Sequence, residues 1–269
     1  MNILVVGGAG FIGSVLIERL LAEENQIIVI DNLKLGKIEY LKDRNIHFYQ
    51  EDINNIDVVV RILKDHSPVK EVWHLAANSD IPSGIKDIEV DLNDTFLSTV
   101  SVLKVMQIIG CKRLYFSSSS AIYGPHANRL EESTGPLFPI SNYGAMKLAS
   151  EAIISAFHES YLETASIYRF PNVVGIPATH GVILDFIRRL KEIPDVLSVL
   201  GNGTQQKVYI HVDELIDAML FINQNSRDGL NCFNIGPEDS GVTVKEIAEH
   251  TVERVSPNAK IKYGEEPEK

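Results

Sequence analysis

The stretch Gly7-Gly8-Ala9-Gly10-Phe11-Ile12-Gly13 directly follows a short apolar run, Asn2 to Val6. Apolar residues then recur at helical spacing, which predicts that the stretch opens an amphipathic helix. Glycines here let the backbone turn tightly, approach a pyrophosphate and pack closely on a sheet, and the first N–H groups of the helix attract anions. The order of strand, turn and helix therefore predicts a dinucleotide site at Gly7, Gly10, Phe11, Ile12 and Gly13.

An acidic residue follows the second apolar run. Asp31 lies 18 residues after Gly13, just beyond Gln26 to Ile30. A carboxylate at that place accepts hydrogen bonds from both hydroxyls of an adenosine ribose and repels a 2'-phosphate. The sequence therefore predicts NAD as the cofactor in preference to NADP.

Short Val- and Ile-rich runs alternate with longer amphipathic stretches, which is typical of an α/β fold with a doubly wound parallel sheet. The predicted strands are Asn2 to Val6, Gln26 to Ile30, Ile46 to Gln50, Glu71 to Leu75, Arg113 to Ser117 and Thr164 to Phe170. The predicted helices are Phe11 to Glu24, Ile56 to His66, Val90 to Ile109 and Ser141 to Tyr161. Beyond about Pro177 the pattern loosens. We therefore expect a nucleotide-binding domain over 1–176 and a smaller α/β lobe over 177–269, with the chain interleaving between them.

Composition limits the classes of partner. The 269 residues carry a formal charge of -11 without a long single-sign run, which disfavours nucleic-acid and polybasic membrane surfaces. Two cysteines are too few for a disulfide framework, and no spacing suggests a metal site. No apolar run reaches the length of a membrane span and no basic leader precedes the first strand. We expect a cytoplasmic enzyme without metal.

A tyrosine and a lysine stand one helical turn apart in Tyr143-Gly144-Ala145-Met146-Lys147, downstream of Ser117-Ser118-Ser119-Ser120. A nearby cation favours the phenolate and lowers the pKa of a phenol. The pair alone is weak support for a site, because short motifs occur by chance. Together with the predicted cofactor it indicates a group that moves protons.

Two further strand ends are candidates for cofactor contacts, since ligands collect at the carboxyl ends of parallel strands. Asp52-Ile53 ends the third strand, and Asp52 is either a ligand contact or a helix cap. Ala76 and Ala77 are small enough to let a ribose lie against the backbone. His74 precedes an apolar run, so we expect a hydrogen-bonded core histidine.

The combined motifs resemble the extended short-chain dehydrogenase/reductases, and within them the NAD-dependent nucleotide-sugar epimerases and dehydratases, with the greatest likeness to UDP-galactose (UDP-glucose) 4-epimerases. The resemblance covers nearly the whole chain. It rests on the glycine turn, Asp31-Asn32-Leu33, Asp52-Ile53, His74-Leu75-Ala76-Ala77, the serine run ending in Ala121-Ile122-Tyr123-Gly124, Tyr143 to Lys147, and Arg169-Phe170-Pro171-Asn172-Val173-Val174-Gly175.

The resemblance implies a role for each matching position. Tyr143 would be the general acid/base, Lys147 would bind the nicotinamide ribose and lower the pKa of Tyr143, and Ser119 would bond the sugar O4, with Ser118 and Ser120 as alternatives if the strand end shifts by one residue. The full set of predicted NAD contacts is Gly7, Gly10, Phe11, Ile12, Gly13, Asp31, Asn32, Asp52, Ile53, Leu75, Ala76, Ala77, Ser117, Tyr143, Lys147 and Pro171. The predicted substrate contacts are Ser119, Asn172, Val182, Leu200 and Lys207, although ordinary core packing explains Val182 and Leu200 equally well.

The sequence departs from the family pattern in three places. Lys207 stands where arginine is usual and Val208 where a carboxylate is usual, which predicts a looser diphosphate contact. Ser120 and Ala121 replace the Asp-Glu pair with which 4,6-dehydratases remove water, so elimination is disfavoured, and decarboxylases also need a Glu at the Ala121 position. Family members usually continue beyond this chain with another substrate-contacting arginine and a final helix, so we expect the smaller lobe to be incomplete.

The resemblance thus implies NAD-dependent epimerisation at C4 of a nucleotide sugar of the UDP-glucose/UDP-galactose type, by a homodimer formed through the two long helices. A reductase or oxidase of a nucleotide-linked keto sugar remains an alternative. So does an NAD-binding sensor or scaffold without turnover.

Overall fold

The structure, a computed structural model, describes residues 1–125, 129–178 and 181–264. Its strands are β1 Asn2–Val6, β2 Gln26–Asp31, β3 His47–Gln50, β4 Val69–His74, β5 Arg113–Ser117, β6 Thr164–Arg169, β7 Asn172–Val174, β8 Val196–Val199, β9 Gln206–Lys207, β10 Tyr209–His211, β11 Gly229–Asn234, β12 Val242–Thr243 and β13 Lys260–Tyr263. Its helices are α1 Phe11–Ala22, α2 Ile56–Lys64, α3 Ile81–Lys86, α4 Ile88–Asp91, α5 Ser98–Ile109, α6 Asn142–Ser160, α7 Val182–Glu192, α8 Val212–Asn225 and α9 Val244–Val255. The segment Leu92–Leu97 is a π-helix, and Ile38–Leu41 and Ser120–Ile122 are 3-10 turns.

The chain divides into two compact units. The first comprises 1–171 and 212–235, and the second comprises 172–211 and 236–269. The chain first passes from the first unit to the second after residue 171, five residues before the boundary predicted at 176. The segment around Asp213, which the sequence placed in the smaller lobe, lies in the first unit.

The first unit contains a seven-stranded sheet in the order β11-β6-β5-β4-β1-β2-β3, and all of its strand pairs are parallel. The predicted doubly wound parallel sheet is confirmed. The strand order reverses between β1 and β4, which is where open α/β sheets bind ligands. Buried Val, Ile and Leu residues from the sheet and from α2, α5 and α6 form the core beneath this edge.

The seventh strand, β11, was not predicted. Its sequence Gly-Leu-Asn-Cys-Phe-Asn is interrupted by polar residues, yet all six residues pair with β6 from Thr164 to Arg169. Helix α8 precedes it as a crossover and packs on α1. Because an unpaired β6 would expose a row of backbone groups, this strand completes the sheet.

The second unit has a small core of its own, formed mainly by apolar residues of α7, α9 and β8. Its strands form the pairs β7-β10, β8-β13 and β9-β12. Helix α9 begins with a capping box between Thr243 and Glu246. No helix within the described ranges is both long and apolar enough to cross a bilayer.

Candidate active site

The end of β5 and the start of α6 lie close together in the first unit. The Ser141 hydroxyl caps α6 by accepting a hydrogen bond from the Gly144 amide at 3.1 Å. A Cβ atom at Gly144 would lie 2.5 Å from the carbonyl oxygen of Ala121, so only glycine permits this approach. The first turn of α6, with Tyr143, is thereby held against the 3-10 turn that follows β5.

The structure brings Ser119, Tyr143 and Lys147 together. Ser119 caps the 3-10 turn by accepting from the Ala121 amide at 3.1 Å, and its hydroxyl also hydrogen-bonds the Tyr143 phenol. The Lys147 side chain is buried, donates from Nζ to the Ser117 carbonyl at 2.5 Å and lies 5.9 Å from the centroid of the Tyr143 ring. A phenol, a hydroxyl and an amine therefore meet where β5 ends.

The neighbouring serines make other hydrogen bonds. The buried Ser118 hydroxyl donates to Glu151, while the amide of Ser120 donates to the Phe170 carbonyl at 3.0 Å. Among the three alternatives, Ser119 is the serine whose side chain bonds Tyr143.

The expected effect of Lys147 on Tyr143 is not seen in the protein chain alone. Burial raises the pKa of Tyr143 to about 12, the hydrogen bond from Ser119 opposes this rise, and the charge of Asp91 adds to it. Burial also lowers the pKa of Lys147 to about 7, partly offset by Glu151. Both groups are shifted toward their neutral forms because the site removes them from water.

A buried ion pair joins the end of β6 to α6, one helical turn after Lys147. Arg169 at the end of β6 donates through Nε and Nη2 to the Glu151 carboxylate at 3.0 and 2.6 Å, and both side chains are largely buried. Arg169 Nη1 also donates to the Tyr123 hydroxyl at 2.8 Å. Sequence reasoning assigned Glu151 no role, although its position four residues after Lys147 put both on one helix face.

The glycine turn has the geometry that a dinucleotide requires. Gly7 has φ +83°, and a Cβ there would lie 2.5 Å from the Ala76 amide nitrogen, while a Cβ at Gly13 would lie 2.5 Å from the Gly7 oxygen. Gly10 starts α1 without a side-chain cap, so the first N–H groups at Phe11 and Ile12 are left to a ligand.

The residues predicted for the adenosine end also meet. The buried Asp31 carboxylate accepts from the amides of Ala9 at 2.9 Å and Leu33 at 2.8 Å. Burial raises its pKa, and these two bonds lower it. Asn32 Nδ2 donates to Asp52 Oδ2 at 2.9 Å. The cap of α2 is Asn55, so Asp52 is not that helix cap. Ile53 is a buried core residue.

The positions predicted near the nicotinamide lie where β4 and β5 end. The amides of Leu75 and Ala76 both donate to the Val6 carbonyl at 2.9 Å, and Ala77 is half-buried. Ser117 donates to the His74 carbonyl at 3.2 Å. Half-buried Pro171 follows β6. Together with the free start of α1 and the acid at Asp31, these residues fit NAD.

His74 is a core histidine, as expected. It is fully buried, its Nε2 lies 3.0 Å from the Thr99 hydroxyl, and burial lowers its pKa to about 3. It is therefore in its neutral form at physiological pH.

The remaining predicted positions lie in the second unit. Asn172 Nδ2 donates to the Val208 carbonyl at 3.2 Å. Val182 is half-buried and packs against that unit's core, in agreement with the core-packing alternative. Leu200 is 82% exposed, so core packing is wrong for it. Lys207 lies exposed on β9.

Comparison with known proteins adds the family. The sequence profile of the NAD dependent epimerase/dehydratase family matches residues 3–236. The chain belongs to this family. A UDP-glucose 4-epimerase of Halalkalibacterium halodurans is 32% identical to it over 267 residues, which cover 93% of this chain and 79% of that protein.

Two crystal structures show the same similarity. The UDP-glucose 4-epimerase of Thermotoga maritima with UDP-glucose has a TM-score of 0.89 and 30% identity, covering 100% of this chain and 87% of that one. The UDP-glucose 4-epimerase of Thermus thermophilus in complex with NAD has a TM-score of 0.87 and 30% identity, covering 99% of this chain and 87% of that one. This family member is an NAD-dependent nucleotide-sugar epimerase or a related enzyme.

Proposed function

We propose that this enzyme interconverts the C4 epimers of a UDP-linked hexose of the glucose/galactose type through a transient 4-keto sugar. The observation that carries the proposal is the meeting of Ser119, Tyr143 and Lys147 at the end of β5, with Ser120 and Ala121 beside them. Neither of the last two side chains can supply the acid and base that removal of water demands, so the arrangement favours epimerisation over dehydration.

Each of the three side chains has its own task. As phenolate, Tyr143 takes the proton of the sugar 4-OH, and as phenol it returns that proton. Ser119 donates a hydrogen bond to the sugar oxygen while the charge of that oxygen changes, and the protonated form of Lys147 places a positive charge next to the Tyr143 ring. Bound NAD supplies the chemistry of accepting a hydride from C4 and returning it to the other face.

The cofactor's contacts are proposed from the same geometry. The free N–H groups at Phe11 and Ile12 would bind the diphosphate, and Asp31 would bind the adenosine ribose. A positive nicotinamide ring near Tyr143 would offset the burial that raises the pKa of the phenol.

The activity test uses purified protein with UDP-glucose and no added NAD, with UDP-galactose as the product sought. UDP-N-acetylglucosamine and UDP-glucuronate are then assayed in the same way. Product from one of them without net consumption of cofactor supports epimerisation. Stoichiometric use of added NAD(P)H with a keto sugar indicates the reductase alternative, and failure with all three substrates contradicts the UDP-hexose proposal.

The first prediction concerns Tyr143→Phe. We expect turnover to fall by about 10²–10⁴-fold, because the proton carrier is lost, while NAD stays bound. The measurement combines the epimerisation rate with the NAD content of the purified protein. Tyr263→Phe, which removes a hydroxyl from β13, is the matched control and should retain full activity. Normal turnover by Tyr143→Phe would show that another group carries the proton.

We also propose a homodimer through α5 and α6, by analogy with the fold. Ile108 of α5 is 59% exposed, which supports an apolar contact on that helix. Light scattering of the purified protein distinguishes a dimer from a monomer, and Ile108→Glu should shift a dimer toward monomer.

A further inference from the structure

Asp91, the last residue of α4, is a carboxylate that neither the fold nor the proposed roles account for. It is 1% exposed. A Cβ atom at Gly84 of α3 would lie 1.8 Å from Asp91 Oδ2, so the carboxylate occupies the space that any side chain at position 84 would need. Glycine at position 84 therefore leaves room for the Asp91 carboxylate.

The carboxylate is held from one side only. Asn78, which follows β4, donates from Nδ2 to Asp91 Oδ1 at 2.8 Å, and its own amide donates to the Thr95 hydroxyl at 3.1 Å. Asp91 Oδ2 is buried and has no hydrogen-bond partner within the described part of the chain. Burial raises the pKa of Asp91, the bond from Asn78 lowers it, and the neighbouring charge of Asp94 raises it.

This carboxylate lies close to the proton carrier. Helices α3 and α4 both pack on α6, and Asn142, directly before Tyr143, donates from Nδ2 to the Gly84 carbonyl at 2.9 Å. After burial and the bond from Ser119, the charge of Asp91 is the remaining influence on the pKa of Tyr143, which it raises. Asp91 was absent from the predicted site because it lies in a stretch that the sequence assigned to a regular helix.

A purely structural role does not require a charge here. An asparagine would accept the same hydrogen bond from Asn78, and a buried carboxylate with an unpaired oxygen costs free energy that a neutral residue avoids. The proximity of Tyr143 gives the charge a use. An acid/base that must both take and return a proton works best when its pKa lies near the working pH. Positive charges on Lys147 and on a nicotinamide ring would both lower the pKa of Tyr143.

We propose that Asp91 is a positioning residue for proton transfer, whose negative charge counterbalances the positive charges around Tyr143 and so keeps the phenolate basic enough to take the proton of the sugar 4-OH. The proposal deepens the proposed function and rests on it for the kinetic readout alone. The charged groups on α6 and on the elements packed against it include Asp91, Asp94 and Lys147. Asp94 is paired with Lys34, and Glu151 of α6 is paired with Arg169.

The test compares Asp91→Asn with Glu89→Gln, which removes an exposed carboxylate from the same helix. Titration of Tyr143 is followed as the difference in tyrosinate absorbance between each protein and the same protein carrying Tyr143→Phe. We expect the midpoint to move down by roughly 0.5–1 pH unit in Asp91→Asn and to stay in place in Glu89→Gln. The acidic limb of the pH profile for kcat should move in the same direction.

An unchanged midpoint in folded Asp91→Asn, or an equal shift in both variants, overturns the proposal. If the asparagine variant fails to fold, Asp91→Leu has the same branching, and an apolar residue often replaces a buried ion without loss of stability. The same downward shift is expected from it, and an unchanged midpoint is again contradictory. Absence of turnover with every UDP-sugar refutes the proposed function but leaves the titration able to judge Asp91.

Discussion

At the scale of single residues, burial of the Lys147 amine lowers the stability of the fold. Lys147 is 1% exposed, and burial lowers its pKa from 10.5 to about 7, so the unfolded chain binds more protons than the folded one between these values. The stability of the fold therefore rises with pH across that window. Below it, the full cost of burying the charge persists.

This cost gives a prediction for Lys147→Met, which keeps the chain length and removes the charge. We expect the variant to be inactive but more stable than the parent at pH 6, by on the order of 3 kcal/mol or less. The gain should shrink as the pH rises from 7 toward 10.5. Urea unfolding at several pH values measures it, and Lys104→Met on α5 serves as the control. A gain that grows with pH would contradict the assigned direction.

At the scale of elements, α6 joins the chemistry to the sheet, since Tyr143, Lys147 and Glu151 follow one another along one face. Glu151→Gln leaves Arg169 with an uncompensated buried charge, and we expect a loss of about 3–5 kcal/mol in the free energy of unfolding. Replacing both partners, as Glu151→Leu with Arg169→Met, should cost less than the single change. Denaturant unfolding measures both, and a double variant that is less stable than Glu151→Gln would contradict this view of the pair.

The bounds of strands could be predicted from the sequence better than those of helices with irregular turns. Strands with continuous apolar residues, such as β1 and β5, have the predicted bounds, because burial on both faces demands apolar residues throughout. The long helix predicted over Val90 to Ile109 is instead α4, a π-helix and α5. A π turn depends on local hydrogen bonds that leave no mark on the apolar period, and such turns often occur at functional sites.

Some residues of the candidate site could also be predicted from the sequence, and others could not. Ser119, Tyr143 and Lys147 follow from motif and spacing, and the structure brings them together. The contact between Asp91 and Gly84 could not be predicted from motif or spacing, because it is a tertiary contact between two short helices. The protonation of Tyr143 and Lys147 was also beyond the sequence, since desolvation depends on the packing around each group.

At the scale of the whole molecule, the interrupted path of the chain predicts which fragments fold. A chain ending at residue 176 lacks α8 and β11, so it leaves the β6 edge unpaired and uncovers the face of α1 on which α8 packs. We expect this fragment to aggregate and to bind no NAD. The control fragment 1–235 retains the whole sheet and should hold NAD. Calorimetry of each fragment with and without NAD tests this, and cooperative unfolding of 1–176 would refute it.

The parallel pairing of β7 with β10 joins Asn172 to Tyr209, and so brings together the two ends of the excursion over 172–211. A segment whose ends are already pinned can change in length or sequence at little entropic expense to the rest of the chain. However, β8 and β9 of this segment pair with β13 and β12 of 236–269, so the two stretches of the second unit would have to be exchanged together. Grafting both stretches from one relative offers a route to recombine family members without redesigning the seven-stranded sheet.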